Sequence, residues 1–469
     1  MNRSMATSED RRRRLESAAG ARGVEWRRRL YMLLLFVLFA AAFLQMNPLY
    51  LLSGAGASEA SQLAGRPGAA GGGGSHLFNY IYELASLSML VLFAATGRDR
   101  LRYLAIIWPI YIYIVWSGLS SLVGDDKSWS IKSLGTFVLS CGTMMAISYR
   151  LSPLSAARIA LYNLIFCCFV SAALAIAIPK IGVMGAGDLY GDDNSAGMWR
   201  GMFAHKNTLG QVAGLSTCLT LVFGRKILFP SSLSPQVRNL LWVICLGVSL
   251  LCIYKSRSST GILIAIVVPM IYWAIIYPKG PWRYPAIAAS VIVLAVCLAL
   301  KDVIAVEVLS AFGKKEDLSG RTQIWAYADY MSTGHIYLGH GFNYTGSDEF
   351  KNRLLSLFSV AYIHNDYIDT VANIGVIGLI TLIAMPVCAG IAAWSKPVMP
   401  NTSRGLTLAR NFFTLVTFTW FISAWTETTN GPLLQLFLIG LFGLWGCQLH
   451  WASDGRRASF DRPPPRRRR

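Results

Sequence analysis

The sequence predicts an all-α polytopic membrane protein, and three observations carry that prediction. Apolar segments of membrane-spanning length recur from one end of the chain to the other. Of 469 residues, 54% are hydrophobic and 14% charged, against roughly a quarter charged in soluble domains. Lys and Arg collect in the tails and in alternate short connections. Backbone groups in hydrocarbon must satisfy one another, so each apolar segment is expected as a helix.

Residues 1–29 read as a basic cytoplasmic tail, followed by a first span that no small-residue cleavage site removes. The membrane domain occupies 30–450, with about twelve spans. Their centres lie near Phe36, Ser88, Tyr113, Leu139, Phe169, Ser216, Leu246, Val267, Ile292, Ile383, Thr417 and Phe442. Residues 53–75 are a Gly/Ala/Ser-rich flexible loop. A large outer loop at 301–366 separates the ninth and tenth spans. Within it Ile324, Trp325, Ala328 and Met331 recur at helical spacing, which suits an amphipathic helix on the membrane or over a cavity. Residues 451–469 read as a basic disordered cytoplasmic tail.

The net charge of +19 is explained by topology rather than by nucleic acid, since no folded basic domain is present. With both termini cytoplasmic, roughly 29 of the 43 Lys and Arg fall inside. All nine cysteines lie in expected spans, which argues against a disulfide framework, and no Cys-x-x-Cys is present. Walker, dinucleotide-binding and nucleophile-elbow motifs are absent, so no cofactor is expected.

Against that charge pattern, Arg200, Lys206, Lys255, Arg257 and Arg321 fall on the expected outer side, each at a membrane edge. Together they suit a multiply charged anion such as a diphosphate. Singly, each could pair with Asp192, Asp193, Asp317 or Glu427. His364 opens the stretch HNDYIDTVANIGVIGL at the outer end of a span. A neutral imidazole there could take a proton from a sugar hydroxyl, with Asp366 and Asp369 orienting it. Asn365 and Asp366 equally fit a helix cap. SRSSTG at 256–261 could cradle phosphate oxygens or simply cap the next helix. Gly210, Gly214, Gly375 and Gly378 read as helix-packing positions. Glu83, inside a span, is a functional suspect or an ion-pair partner. His335 and His340 make a poor metal pair, with no third ligand in sight, and no metal is expected.

Three blocks give the chain a resemblance: GMFAHKNTLG at 201–210, LSGRTQIW at 318–325, and His364-Asn365 followed after nine residues by Gly375-x-x-Gly378. In this order they resemble the superfamily of bacterial O-antigen ligases and polysaccharide polymerases, nearest its exopolysaccharide-polymerase branch. The resemblance implies a GT-C-like fold and a metal-independent, inverting glycosyltransferase in the bacterial inner membrane, with its active site periplasmic. Its donor would be a glycan on undecaprenyl diphosphate, and its acceptor another lipid-linked glycan or the lipid A core. Chain-length regulators and export proteins are further implied partners. His364 and Arg321 match the family's catalytic histidine and large-loop arginine. Arg200, His205, Lys206 and Arg257 are diphosphate-binding candidates by position. A transporter or flippase is the rival reading, favoured chiefly by Glu83.

Overall fold

The computed structural model describes residues 100–185, 195–276, 321–395 and 404–460, except 204, 230–231, 359, 361 and 429–431, with parts of 83–91 and 284–285. The expected spans at Phe36 and Ile292, the loop at 53–75, residues 301–320, Asp192, Asp193 and Cys297 lie outside the described residues.

Among the described residues the chain is helical, apart from an isolated bridge between Val183 and Trp199. The helices are α1 (Arg100–Ile106), α2 (Trp108–Val123), α3 (Lys127–Arg150), α4 (Pro153–Ala177), α5 (Pro179–Gly182), α6 (Lys206–Ile227), α7 (Pro235–Ser256), α8 (Ser259–Ile271), α9 (Arg321–Ser332), α10 (Asp348–Phe358), α11 (Asp366–Trp394), α12 (Arg404–Thr426) and α13 (Pro432–Phe460). Of these, α3, α4, α7 and α11 are long and apolar enough to cross a membrane, and shorter apolar stretches lie at Trp108–Val123, Ser259–Ala274 and Leu436–Trp451. Their starts are written locally. Asp126 accepts from Trp129 N to cap α3, while Ser152 and Ser234 cap α4 and α7 just before a proline at the first helical position. Helix α13 runs on to Phe460.

Helix α6 sits at the centre, packed against α4, α7, α8 and α12. It is buried nearly throughout, and its Gln211, Ser216, Thr217 and Thr220 are buried with it. A helix surrounded by protein needs no apolar outer face, which is why α6 is far less apolar than α7. Helix α7 instead exposes Leu240, Val243, Ile244, Leu250 and Leu251, a face suited to lipid. Gly210 and Gly214 let α6 approach Gly261 of α8 closely: a Cβ on Gly214 would lie 2.4 Å from the Gly261 carbonyl oxygen. At one end of the bundle Arg158 donates to Ile227 O at 2.8 Å, Arg225 stacks on Trp242 and Arg410 on Trp394. The helix directions put these cations opposite the start of α6.

Over that start lies a cap with a small core of its own: Ile324 and Ala328 from α9, Phe350 and Leu354 from α10, with Tyr344, Ile363 and Ala372. Helix α9 thus packs against the head of α11. Helix α11 breaks at Ile374 and Gly375. The loop at 336–341 fills the break, with His340 N donating to Ala372 O, Gly341 N to Asn373 O and Val376 N to Ile336 O, while Trp116 Nε1 bonds Ile374 O. Gly375 has φ +74°, and a Cβ there would stand 1.9 Å from Tyr337 O. The expectation that Gly375 serves helix packing is therefore corrected: it allows a left-handed break against a crossing loop. Gly378 packs against Ile374 of its own helix.

Candidate functional site

Glu427 ends the segment that begins as α12 and is the hub of the site. Its Oε1 accepts from Asn207 Nδ2 at 2.7 Å and from Arg321 Nη2 at 3.4 Å; its Oε2 is 2.8 Å from His364 Nδ1. Four distant segments therefore meet on one carboxylate: the starts of α6 and α9, the residue before the α11 cap, and the end of α12. Arg321 also donates through Nη1 to Thr426 O at 2.8 Å, and Thr260, in the first turn of α8, hydrogen-bonds Thr426 Oγ1. Tyr367 Oη donates to Phe421 O, fixing α11 against α12 two turns from the hub.

His364 is held in an uncommon backbone state, with φ +56°. Histidine tolerates this region better than most residues, and such strain gathers where a side chain must be aimed. Asn365 follows as the N-cap of α11, accepting from Tyr367 N and Ile368 N, as the capping reading anticipated. A carboxylate can only accept, so His364 Nδ1 donates to Glu427, and in the neutral ring that tautomer puts the lone pair on Nε2. Nε2 has no hydrogen-bond partner among the described residues, and the side chain is 19% exposed. The carboxylate on Nδ1 is Glu427; Asp366 and Asp369 were expected in that role. Asp369 instead accepts from Asn373, inside α11.

The electrostatics follow from burial and company. Burial alone would raise the Glu427 carboxyl. His364 first, by charge and hydrogen bond, then Arg321 and His205, outweigh it and hold the carboxyl at about 2. Burial lowers His205 to about 4; Glu427 opposes the fall, while His364, Lys206 and Arg321 add to it. His205 is thus neutral at pH 7, and its Nδ1 accepts from Asn207 N to cap α6. Its ring centre is 6.5 Å from that of His364. Both shifts are downward, so the unfolded chain binds more protons than the folded one at acid pH. Stability is expected to fall as pH drops, from about 6.5 to about 4 through His205 and from about 4.5 to about 2 through Glu427. Melting temperature against pH in detergent checks this. His205→Asn, which keeps a capping oxygen and removes the titrating ring, should flatten the upper part of the curve only.

The other expected site residues are placed unequally. Arg200 is buried and donates through Nε to Ile181 O at 2.8 Å and through Nη2 to Lys180 O at 3.3 Å, tying its own segment to the end of α5. Lys206 is buried with Nζ 3.0 Å from Met198 Sδ. Arg257 is exposed at the corner between α7 and α8, with φ +49°. Ser258 caps α8 by accepting from Gly261 N, the capping reading of SRSSTG. His335 and His340 stack at 4.3 Å, but His340 Nδ1 bonds Asp125 and Nε2 bonds Met331 O. Among the described residues no group of three His, Cys, Asp or Glu side chains is gathered for a metal. Glu83 is half-buried in a helical fragment whose surroundings lie largely outside the described residues.

Two members of the hub, Glu427 and Asn207, escaped sequence reasoning as site residues. Glu427 was weighed only as a generic ion partner, yet it is the sole acid between Asp369 and Asp454, at the end of an apolar stretch. That isolation was the available signal. Residues 243–383 match the family described as O-antigen ligase. No curated protein matches the chain. The matched stretch contains Arg257, Arg321 and His364, and the fold supplies Asn207 and Glu427 from either side of it.

Proposed function

We propose that this chain, whose residues 243–383 match the family described as O-antigen ligase, is a glycosyltransferase that polymerises undecaprenyl-diphosphate-linked oligosaccharide units at the periplasmic face of the inner membrane. The observation that carries the proposal is the His364–Glu427 pair beside Arg321. In this reading His364 Nε2 takes the proton of an acceptor hydroxyl. The hydroxyl oxygen bonds to the anomeric carbon of the donor glycan, and the bond from that carbon to diphosphate breaks with inversion. The electron pair leaves with undecaprenyl diphosphate. Glu427, 2.8 Å from Nδ1, stabilises the imidazolium as it forms.

Arg321 uses two of its five N–H groups on Thr426 and Glu427, and it is 21% exposed. The remaining donors suit the leaving diphosphate, with exposed Arg257 as a second cation. Neutral His205 can offer an N–H to a phosphate oxygen. Arg200 and Lys206 enter the proposal as a buried positive field beneath the site. Cations at these positions let the transfer proceed without a divalent metal. The family description favours one second reading, a ligase that passes the same glycan to lipid A core.

The test uses the full chain in nanodiscs with a lipid-linked repeat unit, followed on a gel with and without chelator. The expected result is a product ladder that grows with chelator present. Arg321→Ala should lower kcat/KM by about 10²-fold or more. Transfer only when lipid A core is supplied would replace polymerase by ligase. A ladder unaffected by Arg321→Ala would overturn the diphosphate grip.

A further inference from the structure

Helix α10 turns Phe350 and Leu354 into the core of the cap and carries Lys351 half-buried on its flank. The Lys351 ammonium stands 5.9 Å from the ring centre of Trp129 and 5.8 Å from that of Tyr362. Among the described residues no oxygen hydrogen-bonds Lys351 Nζ, and Asp348 acts on it only through charge at a distance. Burial holds this ammonium below the usual lysine range. A cation so placed has lost water and gained two ring faces, yet among the described residues it has no ion-pair partner.

Both rings are fixed. Trp129 Nε1 donates to Asn343 O at 2.8 Å. Tyr362 meets the ring of His364 edge-on, 6.3 Å between centres. Trp129, Lys351, Tyr362 and His364 therefore form one continuous wall drawn from α3, α10 and the approach to α11. Aromatic rings offer flat apolar surface to the C–H faces of a sugar, and an ammonium between them offers a charge-assisted bond to an oxyanion.

We propose that Trp129, Lys351 and Tyr362 form a subsite for a carboxylate-bearing sugar of the glycan at the transfer site, its carboxylate on Lys351 and its ring against the aromatic faces. This rests on the glycosyltransferase reading, because His364 ends the wall. The same cation could serve a lipid phosphate. The continuity of the rings with His364 favours the glycan.

The test measures binding without turnover, in the His364→Ala background, in phosphatidylcholine nanodiscs at low salt. The probes are trigalacturonate and its methyl ester, the same sugar with its charge masked. The acid is expected to bind at least about tenfold more tightly than the ester. Lys351→Met should erase that preference and Lys351→Arg should keep it, with melting temperatures unchanged. Equal affinity for acid and ester, or a preference that survives Lys351→Met, would overturn the subsite. So would a Lys351→Met variant that retains less phosphatidylglycerol on purification while binding both saccharides as before; that result assigns the lysine to lipid. Since binding is read without transfer, failure of the subsite and failure of the catalytic reading give separate results.

Discussion

Replacing His364 by alanine is expected to lower the rate of glycan transfer by about 10²–10⁴, the usual contribution of a positioned general base. The loss should fall on kcat, because Nε2 holds no structural bond among the described residues and its removal leaves the substrate grip in place. Two features make the expectation specific. Nδ1 is committed to Glu427, so Nε2 is the nitrogen available to a hydroxyl. The φ of +56° aims the ring toward Glu427 instead of along α11. Initial rates with lipid-linked substrate, beside a melting curve showing that the variant folds, measure this. A His364→Ala protein that turns over at the wild-type rate would sink the mechanism.

Glu427→Gln should come next in size, lowering kcat by about 10²–10⁴, as loss of the carboxylate that orients a catalytic histidine does elsewhere. The amide can present N–H or C=O to His364, so it no longer dictates which nitrogen carries the proton. It also removes the charge that stabilises the imidazolium and balances Arg321. A purely structural role would cost stability without separating kcat from KM. The orienting role predicts a fallen kcat, a nearly unchanged KM and partial recovery in Glu427→Asp. Glu427→Ala should in addition destabilise the fold, by about 1–3 kcal/mol after allowance for the partial exposure of its partners. Steady-state rates and thermal melts of the three variants separate these outcomes.

Much of this arrangement was legible in the chain. The apolar segments centred near Tyr113, Leu139, Phe169, Leu246 and Ile383 all fall on helices. Arg321 and His364 stood out because a cation at a membrane edge needs a partner and a histidine opening a span is suited to proton transfer. The caps at Ser258 and Asn365 were equally local, since a side-chain oxygen two or three residues before an unsatisfied N–H is a matter of adjacent sequence.

The rest was not legible, for reasons of distance and direction. Glu427 lies 63 positions from His364 and 106 from Arg321, and no periodicity links them. Asp366 and Asp369 were close in sequence, but Asp369 is engaged by Asn373 one turn along its own helix. Gly375 looked like a packing glycine because the loop that crosses it belongs to a different segment. Lys351 carries no mark in the local sequence, and only folding brings Trp129 to it. The sequence by itself determined the apolar helices and the caps at Ser258 and Asn365, and it singled out Arg321 and His364 as candidates. Only the tertiary structure decided which carboxylate meets His364, where α11 breaks and what surrounds Lys351, because helix packing brings together side chains that local spacing leaves independent.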